Sequence, residues 1–282
     1  MDQNNPFTIA ELGCVAIGDI ERAKMLINLA KLCNVSCVKF QKRNPIESTP
    51  KSLWDVPHPN QMFSYGKTYL EHRINVEFSK EQHKVLKDYC ENLGLIYSTS
   101  VWDVTSSKEI IELNPEFIKV PSAQNNNKEI LDILINEYGG YIHISTGMSS
   151  KEDKESLYEY LKHNNVLDRV VIYHCTSEYP CSFEHLFLKE IVNLKKYYKH
   201  VGFSNHGYGI ASDVAALTLG ATYFERHFVD DRMFKHTDAA ASLEPEGLRK
   251  LVRDLNNVSL ALKFKGENIT DQELVQKEKL RG

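Results

Sequence analysis

The strongest constraint on the fold is a regular alternation of short β-type runs with amphipathic helical segments along the whole chain. Eight apolar or β-branched runs have the character of strands: 7–11, 36–40, 96–99, 117–120, 141–145, 170–174, 200–203 and 222–225. Helical segments follow at 19–33, 79–93, from 106, 128–138, 149–162, 184–197, 210–219 and 245–264. Eight such units in succession predict an α/β fold, a closed parallel (β/α)8 TIM barrel, in preference to an open doubly wound sheet.

One connection, the stretch 43–78 after the second strand, is far longer than an ordinary βα loop. On the active-site face of a barrel, a loop of this length is more typical of a substrate lid than of a passive insertion. No linker or low-complexity segment divides the chain. We therefore expect a single barrel domain over residues 1–264 and a C-terminal tail over 265–282.

Composition narrows the classes of partner. The net charge of −4 gives no reason to expect binding to nucleic acid or to an anionic membrane surface. No apolar run approaches the roughly 20 residues that span a bilayer. The 6 cysteines form no CxxC pair and are spread through the predicted helices and strands, as is typical of free thiols in a cytoplasmic protein. We expect small-molecule partners and a cytoplasmic location.

Two histidines follow the last two predicted strands, His206 after the seventh and His227 after the eighth. The ends of neighbouring barrel strands are where catalytic groups gather. Two imidazoles there can share one divalent cation and leave coordination positions open for a substrate. The alternative is that each is an ordinary hydrogen-bonded histidine at a strand end.

Two lysines, Lys39 and Lys119, interrupt otherwise apolar strands, where an ammonium group is costly to bury without an anion. Either lysine could pair with Glu11 or Glu225, which end the first and the eighth strand. Several hydroxyl side chains follow the other strands, and together with the lysines they favour a site for a phosphorylated or carboxylated substrate. The sequence thus predicts an anion site beside a candidate metal site.

These residues belong to motifs by which the chain resembles the catalytic barrel of the sialic acid synthases. The motifs run from the first strand to the last helix and are Ile9-Ala10-Glu11-Leu12-Gly13, Val38-Lys39-Phe40-Gln41, Ser98-Thr99, Ile118-Lys119, Ser145-Thr146-Gly147-Met148, His174-Cys175-Thr176-Ser177-Glu178-Tyr179-Pro180, Phe203-Ser204-Asn205-His206, Glu225-Arg226-His227-Phe228 and Ala241-Ser242-Leu243-Glu244-Pro245. The sixth and the last of these blocks are the most specific.

The resemblance implies that C3 of phosphoenolpyruvate adds to a sugar aldehyde, that water attacks C2, and that phosphate leaves. It implies that His206 and His227 hold a divalent metal ion, Mn²⁺ in the first place and Mg²⁺ or Co²⁺ as alternatives, which polarises the aldehyde oxygen. It makes Glu11 the candidate for activating water or relaying protons. The residues expected to bind phosphoenolpyruvate are Lys39, Thr99, Lys119, Ser122, Ser145, Ser177 and Ser204. Those expected to face the acceptor are Gln41, Gln124, Tyr179 and Asp238.

The chain departs from the family pattern mainly on the acceptor side. Gln124 stands where the family has an acceptor-binding carboxylate, and Cys14 follows the first strand where the family has Asn-His. From the resemblance we also expect this chain to lack the family's antifreeze-like C-terminal domain, which in the family gives an arginine to the acceptor of a partner chain. We hypothesise that His72 and Arg73 of the long loop take over that role, the alternative being that both pair with surface carboxylates. A second hypothesis is that Cys14 reaches the metal as a thiolate.

The acceptor is left open between N-acetylmannosamine, another hexose derivative, and a phosphorylated form of either. Two other functions are open as alternatives. One is a synthase of the 3-deoxy-octulosonate phosphate or 3-deoxy-heptulosonate phosphate type, and the other is a non-catalytic sugar-phosphate-binding relative. A homodimer is also expected from the resemblance, through an interface that the sequence does not identify.

Overall fold

The protein, seen in a computed structural model that describes residues 6–236 and 238–281, is built on a closed barrel of eight parallel strands. The strands are β1 Phe7–Gly13, β2 Cys37–Lys42, β3 Ile96–Val101, β4 Phe117–Val120, β5 Tyr141–Ser145, β6 Val170–His174, β7 His200–Asn205 and β8 Tyr223–His227. Each strand pairs with the next in parallel, and β1 pairs with β8 to close the barrel. The predicted (β/α)8 fold is confirmed.

Helices connect the strands around the outside of the barrel. They are α1 Ile20–Leu32, α2 Pro45–Ser48, α3 Tyr69–Val76, α4 Lys80–Asn92, α5 Val104–Leu113, α6 Lys128–Glu137, α7 Lys151–His163, α8 Glu190–Leu194, α9 Ala211–Thr218, α10 Pro245–Ala261 and α11 Asp271–Arg281. The predicted helix start at Ser79 is confirmed, since Ser79 forms a capping box. The start expected at Ser149 lies one residue later, at Ser150, which forms the capping box of α7. The start near Ser106 was wrong because Asp103 caps α5, its carboxylate accepting the N–H of Ser106 at 2.7 Å.

Alternation along the strands separates two apolar layers. Ile118 and Val120 of β4 face outward into the core between strands and helices. Phe117 faces inward and belongs to a second cluster at the amino-terminal end of the barrel interior, which we call the floor. The floor consists of Ile9, Cys37, Phe117, Val171, Tyr173 and Tyr223. Because the barrel interior is filled from this end, a cavity can form only at the other end, where the strands finish. We call that end the mouth.

The long connection between β2 and α4 is not an open loop. It contains α2, α3 and two short 3₁₀ turns at Lys51–Leu53 and Gln61–Phe63. Its centre is a cluster of four rings, with centroids 4.5–6.1 Å apart, formed by His58, Tyr65, Tyr69 and His72. Two hydrogen bonds tie it to the segment after β8: Tyr65 Oη donates to the carbonyl of Lys235 at 2.6 Å, and Lys235 Nζ donates to the carbonyl of Ser64 at 2.7 Å.

The expected C-terminal tail carries a helix, α11, whose residues are all exposed over Asp271–Arg281. The barrel ends with α10, which packs Leu248, Leu251 and Leu255 inward. Residues 1–5 of the expected domain lie outside the described part of the chain. Within the described part, no helix is long and apolar enough to cross a membrane.

Candidate active site

A cavity of about 250 Å³ opens at the mouth of the barrel. Because parallel strands all end at this edge, side chains that are far apart in the sequence meet here. Of the residues expected from the sequence, those that line the cavity are Glu11, Lys39, Gln41, Lys119, Ser122, Ser145, Ser177, Tyr179, Ser204, His206 and His227. They come from the strand ends of β1, β2 and β4 to β8, or from the segments directly after them.

Four charged side chains form the deepest part of the cavity, and we call them the charge quartet: Glu11, Lys39, Lys119 and Glu225. The ammonium group of Lys39 contacts the carboxylate of Glu11 and lies 3.7 Å from Glu225 Oε2. Lys119 Nζ lies 3.1 Å from the same oxygen. All four side chains are at most 10% exposed, and their formal charges cancel. The pairing of both lysines with Glu11 and Glu225, one of the alternatives open from the sequence, is present.

The two carboxylates of the quartet differ in basicity. Burial disfavours the ionised form of Glu225, but the ammonium groups of Lys119 and Lys39 outweigh it and hold the pKa of Glu225 far below its usual value. Burial raises the pKa of Glu11, and the single contact with Lys39 offsets this only in part. Glu11 is therefore the carboxylate of the quartet that takes up a proton more readily.

The two histidines lie side by side at the edge of the cavity. The ring centroids of His206 and His227 are 5.6 Å apart, at an interplanar angle of 43°. His206 Nδ1 donates to the carbonyl of Thr176 at 2.9 Å, which leaves the lone pair of Nε2 available. Burial lowers the pKa of His206 to about 3, so the ring is neutral at neutral pH.

This pair of rings fits a divalent metal ion. A metal–nitrogen distance of about 2.1 Å allows two rings on one ion to have centroids up to about 6 Å apart. A neutral imidazole that is oriented by a carbonyl on its other nitrogen is a common metal ligand. Among the described residues, no group of three or more His, Cys, Asp or Glu side chains forms a complete metal cluster. An ion at this place would therefore have two imidazole ligands, with its remaining positions left to water or substrate.

Hydroxyl groups converge on the opposite wall, beside Gly147. A Cβ atom at this position would collide with Ser177 Oγ and lie 2.7 Å from Ser122 Oγ, so only glycine allows the approach. The N–H of Gly147 donates to Ser122 Oγ at 3.1 Å. Ser177 Oγ is buried and has no hydrogen-bond partner in the described part of the structure. A free hydroxyl donor in a cavity that also contains two ammonium groups is suited to an anionic oxygen.

Two residues expected in the site face elsewhere. Thr99 pairs with Phe40 and Ile118, which belong to the outer core, so its side chain faces the helices and the expectation was wrong. Ser100, one residue later, lines the cavity and accepts from Lys39 Nζ at 2.7 Å. Gln124 is also corrected: its Oε1 accepts from Asn127 at 2.9 Å at the start of α6, outside the cavity.

The expectations for the long connection also need correction. His72 does not line the cavity; it lies in the ring cluster, and its Nδ1 accepts the N–H of Tyr65 at 3.1 Å. Burial lowers its pKa to about 4. Arg73 donates to Tyr69 Oη at 3.0 Å and likewise does not line the cavity. The alternative, in which both pair with surface carboxylates, is absent too among the described contacts.

Asp238 and Cys14 lie beside the cavity, not on its wall. Asp238 Oδ2 is 4.0 Å from His227 Nδ1 and 3.8 Å from His236 Nδ1. Partial burial would raise the pKa of Asp238, but His227 and His236 outweigh it and lower the pKa. Cys14 Sγ lies 3.4 Å from an Arg43 nitrogen, and burial raises the pKa of the thiol to about 11. Because a metal ion deprotonates the thiol that binds it, the hypothesis of a metal-bound thiolate stays a prediction.

Seven residues of the cavity wall were not among the expected site residues, and three of these seven have nitrogen or oxygen atoms in their side chains: Ser100, Trp102 and Glu225. The sequence named Glu225 only as a possible partner of the lysines, although two-residue periodicity places it on the same face as His227. It could not distinguish Ser100 from Thr99, because nothing in the run of hydroxyl residues shows which face of β3 is inside. Trp102 gives no comparable signal. Its Nε1 is buried without a partner in the described structure, and the Arg43 guanidinium lies 3.7 Å from its ring centroid.

Comparisons with known proteins show which family the chain is similar to. A model of the NeuB family matches residues 26–267. The chain is 35% identical over 280 residues to the N-acetylneuraminate-9-phosphate synthase of Homo sapiens, covering 99% of this chain and 77% of that protein. It is 29% identical over 272 residues to the N,N'-diacetyllegionaminic acid synthase of Legionella pneumophila, covering 95% and 76%. A crystal structure of N-acetylneuraminic acid synthetase from Leptospira borgpetersenii has a TM-score of 0.82 at 24% identity, covering 99% and 93%, and shows the likeness of the fold.

Proposed function

The chain belongs to the NeuB family, and from this we infer that it is a transferase that condenses phosphoenolpyruvate with a sugar aldehyde. The reaction forms a bond between C3 of phosphoenolpyruvate and the aldehyde carbon, water adds at C2, and inorganic phosphate leaves. The product is a 2-keto-3-deoxy sugar acid of the sialic acid type. The observation that carries this proposal is the placement of two buried lysines and the unpaired Ser177 hydroxyl in one cavity with the imidazoles of His206 and His227.

Phosphoenolpyruvate brings nearly three negative charges, and we assign its binding to the lysines and hydroxyls of the cavity. Lys39 and Lys119 supply the positive charge, and Ser177 Oγ supplies a donor that has no partner in the described structure. The other hydroxyls are those of Ser122, Ser145 and Ser204, with Ser100 taking the place expected for Thr99. Because Glu11 and Glu225 already hold both ammonium groups in place, the substrate enters by exchanging ion-pair partners.

We propose that His206 and His227 hold a divalent metal ion, Mn²⁺ first and Mg²⁺ or Co²⁺ as alternatives. When bound, such an ion would polarise the aldehyde oxygen as a Lewis acid. His206 is kept neutral by burial and oriented by Thr176, which keeps its Nε2 directed away from that carbonyl. Glu11, with its raised pKa, is the residue that moves a proton to or from the attacking water.

The acceptor side is formed by Gln41 and Tyr179, with Asp238 beside it. Gln41 Nε2 donates to Glu11 Oε1 at 3.2 Å, and the Tyr179 ring lies 4.1 Å from that of His206. We propose an N-acetylhexosamine such as N-acetylmannosamine as the acceptor class. The human relative is named for a phosphorylated sugar acid and the Legionella relative for a diacetylated one, so free and phosphorylated acceptors both belong in the test. A cytoplasmic location and a homodimer stay predictions; the six buried free cysteines support the first.

The test is phosphate release from phosphoenolpyruvate with a panel of free and phosphorylated aldoses, with and without Mn²⁺, followed by mass measurement of the product. We expect release that needs both the metal and an N-acetylhexosamine. If no acceptor leads to phosphate release although phosphoenolpyruvate still binds, the non-catalytic alternative would be favoured. A product of the mass of a 3-deoxy-octulosonate phosphate or a 3-deoxy-heptulosonate phosphate would favour the other synthase type.

A matched pair of variants on β3 tests the assignment of the anion side. Ser100→Ala removes the hydroxyl that accepts from Lys39 and should raise the KM for phosphoenolpyruvate roughly tenfold, the equivalent of one hydrogen bond to a charged group. Thr99→Val changes the neighbouring residue, whose side chain faces the helices, and should leave that KM unchanged. The reverse outcome would show that the side-chain register of β3 is misassigned.

A further inference from the structure

We propose that Tyr173 is a positioning residue for the anionic substrate, because the face of its ring lies against the ammonium group of Lys119 and fixes that group at the cavity wall. This inference rests on the proposed function in one respect, the assignment of Lys119 to phosphoenolpyruvate. Tyr173 does not line the cavity and therefore acts through Lys119.

The contact is short and buried. Lys119 Nζ lies 3.4 Å from the centroid of the Tyr173 ring, and both residues are at most 1% exposed. Glu225 Oε2 lies 3.1 Å from the same nitrogen. A cation over a tyrosine face is attracted by the ring quadrupole, and the attraction is largest where water is excluded.

Three neighbours determine where the ring lies. Gly202, its partner on β7, has no side chain, and a Cβ atom there would lie 2.5 Å from Tyr173 Cε1. Tyr173 Oη is hydrogen bonded to His143 Nδ1 at 2.9 Å. The His143 ring is stacked on Phe117, with centroids 3.8 Å apart and an interplanar angle of 12°. The position of the Tyr173 ring is therefore determined by Gly202 at its edge, by His143 at its hydroxyl group, and by Phe117 through the stacked His143 ring.

The ring stabilises the ammonium group of Lys119 in a way that a carboxylate cannot, because it does not compete with an anionic substrate. Glu225 competes with the substrate for Lys119, because both are anions. The ring face stabilises the positive charge without competing, since it carries no net charge and lies on the side away from the cavity. Burial and the nearby Lys39 ammonium both lower the pKa of Lys119, so a partner of this kind also helps to keep the group charged.

The experiment compares Tyr173→Phe with Tyr173→Leu and measures the dissociation constant of phosphoenolpyruvate by titration calorimetry. Phenylalanine keeps the ring face and loses the bond to His143, so we expect a lower melting temperature and a dissociation constant within about threefold of the unmodified protein. Leucine loses the ring face as well. For it we expect a rise of roughly 30-fold, which corresponds to about 2 kcal/mol.

Two further variants keep the test decisive if Tyr173→Leu does not fold. Gly202→Ala retains the tyrosine and displaces its ring, so it should also raise the dissociation constant, by at least about fivefold (about 1 kcal/mol). Tyr223→Leu removes another ring of the floor, with its centroid 6.5 Å from that of Tyr173, and should lower stability without changing affinity.

Equal affinities for Tyr173→Phe and Tyr173→Leu would overturn the proposal, as would unchanged affinity in Gly202→Ala. If the unmodified protein binds no phosphoenolpyruvate, the proposed function fails instead, and the two failures are thereby distinguished.

Discussion

The mouth and the floor of the barrel interior are built on the same strands from opposite kinds of side chain. Each member of the charge quartet stands two residues after a floor residue on its own strand: Glu11 after Ile9, Lys39 after Cys37, Lys119 after Phe117 and Glu225 after Tyr223. A period of two keeps both members of each pair inside the barrel. Two residues further along each of these four strands, the apolar cluster of the floor is thus followed by the charged side chains of the cavity.

This difference shows how the barrel can bury charge near a substrate without losing its fold. The floor does not have to keep space open for a substrate and contains no charged side chain, so it can be packed tightly. The mouth has balanced charges, and each ammonium group already has a carboxylate. We therefore expect changes at the mouth to affect activity more than stability, and changes in the floor to do the opposite, except at Tyr173, whose ring also contacts Lys119 of the mouth.

The largest expected effect at the mouth is that of His227→Ala. Loss of one of the two imidazoles proposed to hold the metal should reduce the rate of phosphate release roughly a thousandfold, the upper range for removing one electrostatic group from an active site. His227 is at the partly exposed edge of the cavity, so the melting temperature should change by no more than about 2 °C. Kinetics and thermal unfolding of the same preparation check both parts.

The matched control is His185→Ala. His185 lies in the segment after β6 and is bonded to Glu178 at 2.8 Å, outside the cavity. The rate of phosphate release by the His185→Ala variant should equal that of the unmodified protein. A comparable loss of activity in both variants would remove the distinction between cavity and surrounding surface on which the comparison depends.

The next effect is in the floor, where Ile9→Ala should reverse the pattern. Ile9 is 1% exposed, and its truncation leaves a cavity that a packed cluster cannot close. We expect the free energy of unfolding to fall by about 2–4 kcal/mol, while the KM for phosphoenolpyruvate changes less than threefold. Urea unfolding and steady-state kinetics measure the two. A large change in KM with little change in stability would contradict the division between floor and mouth.

The smallest expected effect is on the pH dependence of stability. It concerns His83, a buried histidine that is kept neutral, in contrast to the charged side chains of the mouth. Burial lowers the pKa of His83 to about 3, against 6.5 for a free histidine, and its Nδ1 is bonded to Tyr97 Oη at 2.7 Å. Between these two pH values the unfolded chain binds a proton that the fold excludes, so stability falls as the pH falls. At pH 5 this amounts to about 2 kcal/mol relative to pH 7.

His83→Gln should therefore lose less stability between pH 7 and pH 5 than the unmodified protein, as measured by urea unfolding at both values. His163→Gln, at the exposed end of α7, is the control and should leave the loss unchanged. An equal loss in His83→Gln would mean that this histidine becomes protonated in the folded state.

The strands could be predicted from sequence because each is a short apolar run with a clear boundary, and β4, β5 and β6 have the predicted bounds. The site followed from the same pattern, since the residues that end parallel strands meet at one edge. Thr99 shows the limit. Adjacent hydroxyl residues on β3 face opposite sides, and the run of Ser98, Thr99 and Ser100 gives no indication of which face is inside.

The long connection could not be predicted in detail, because its structure depends on contacts among its own side chains. The sequence shows aromatic and basic residues there, and the expectation was that His72 and Arg73 reach the substrate. The ring cluster instead buries His72, and Tyr69 binds Arg73. Pairing of this kind depends on tertiary geometry that neither periodicity nor composition records.

That ring cluster has a further consequence for how such a protein can change over time. His58, Tyr65, Tyr69 and His72 all come from one connection, so a substitution among them is felt first within that connection and not in the strands. The connection can therefore accept substitutions while the barrel strands stay unchanged, provided that its hydrogen bonds to the segment after β8 are kept.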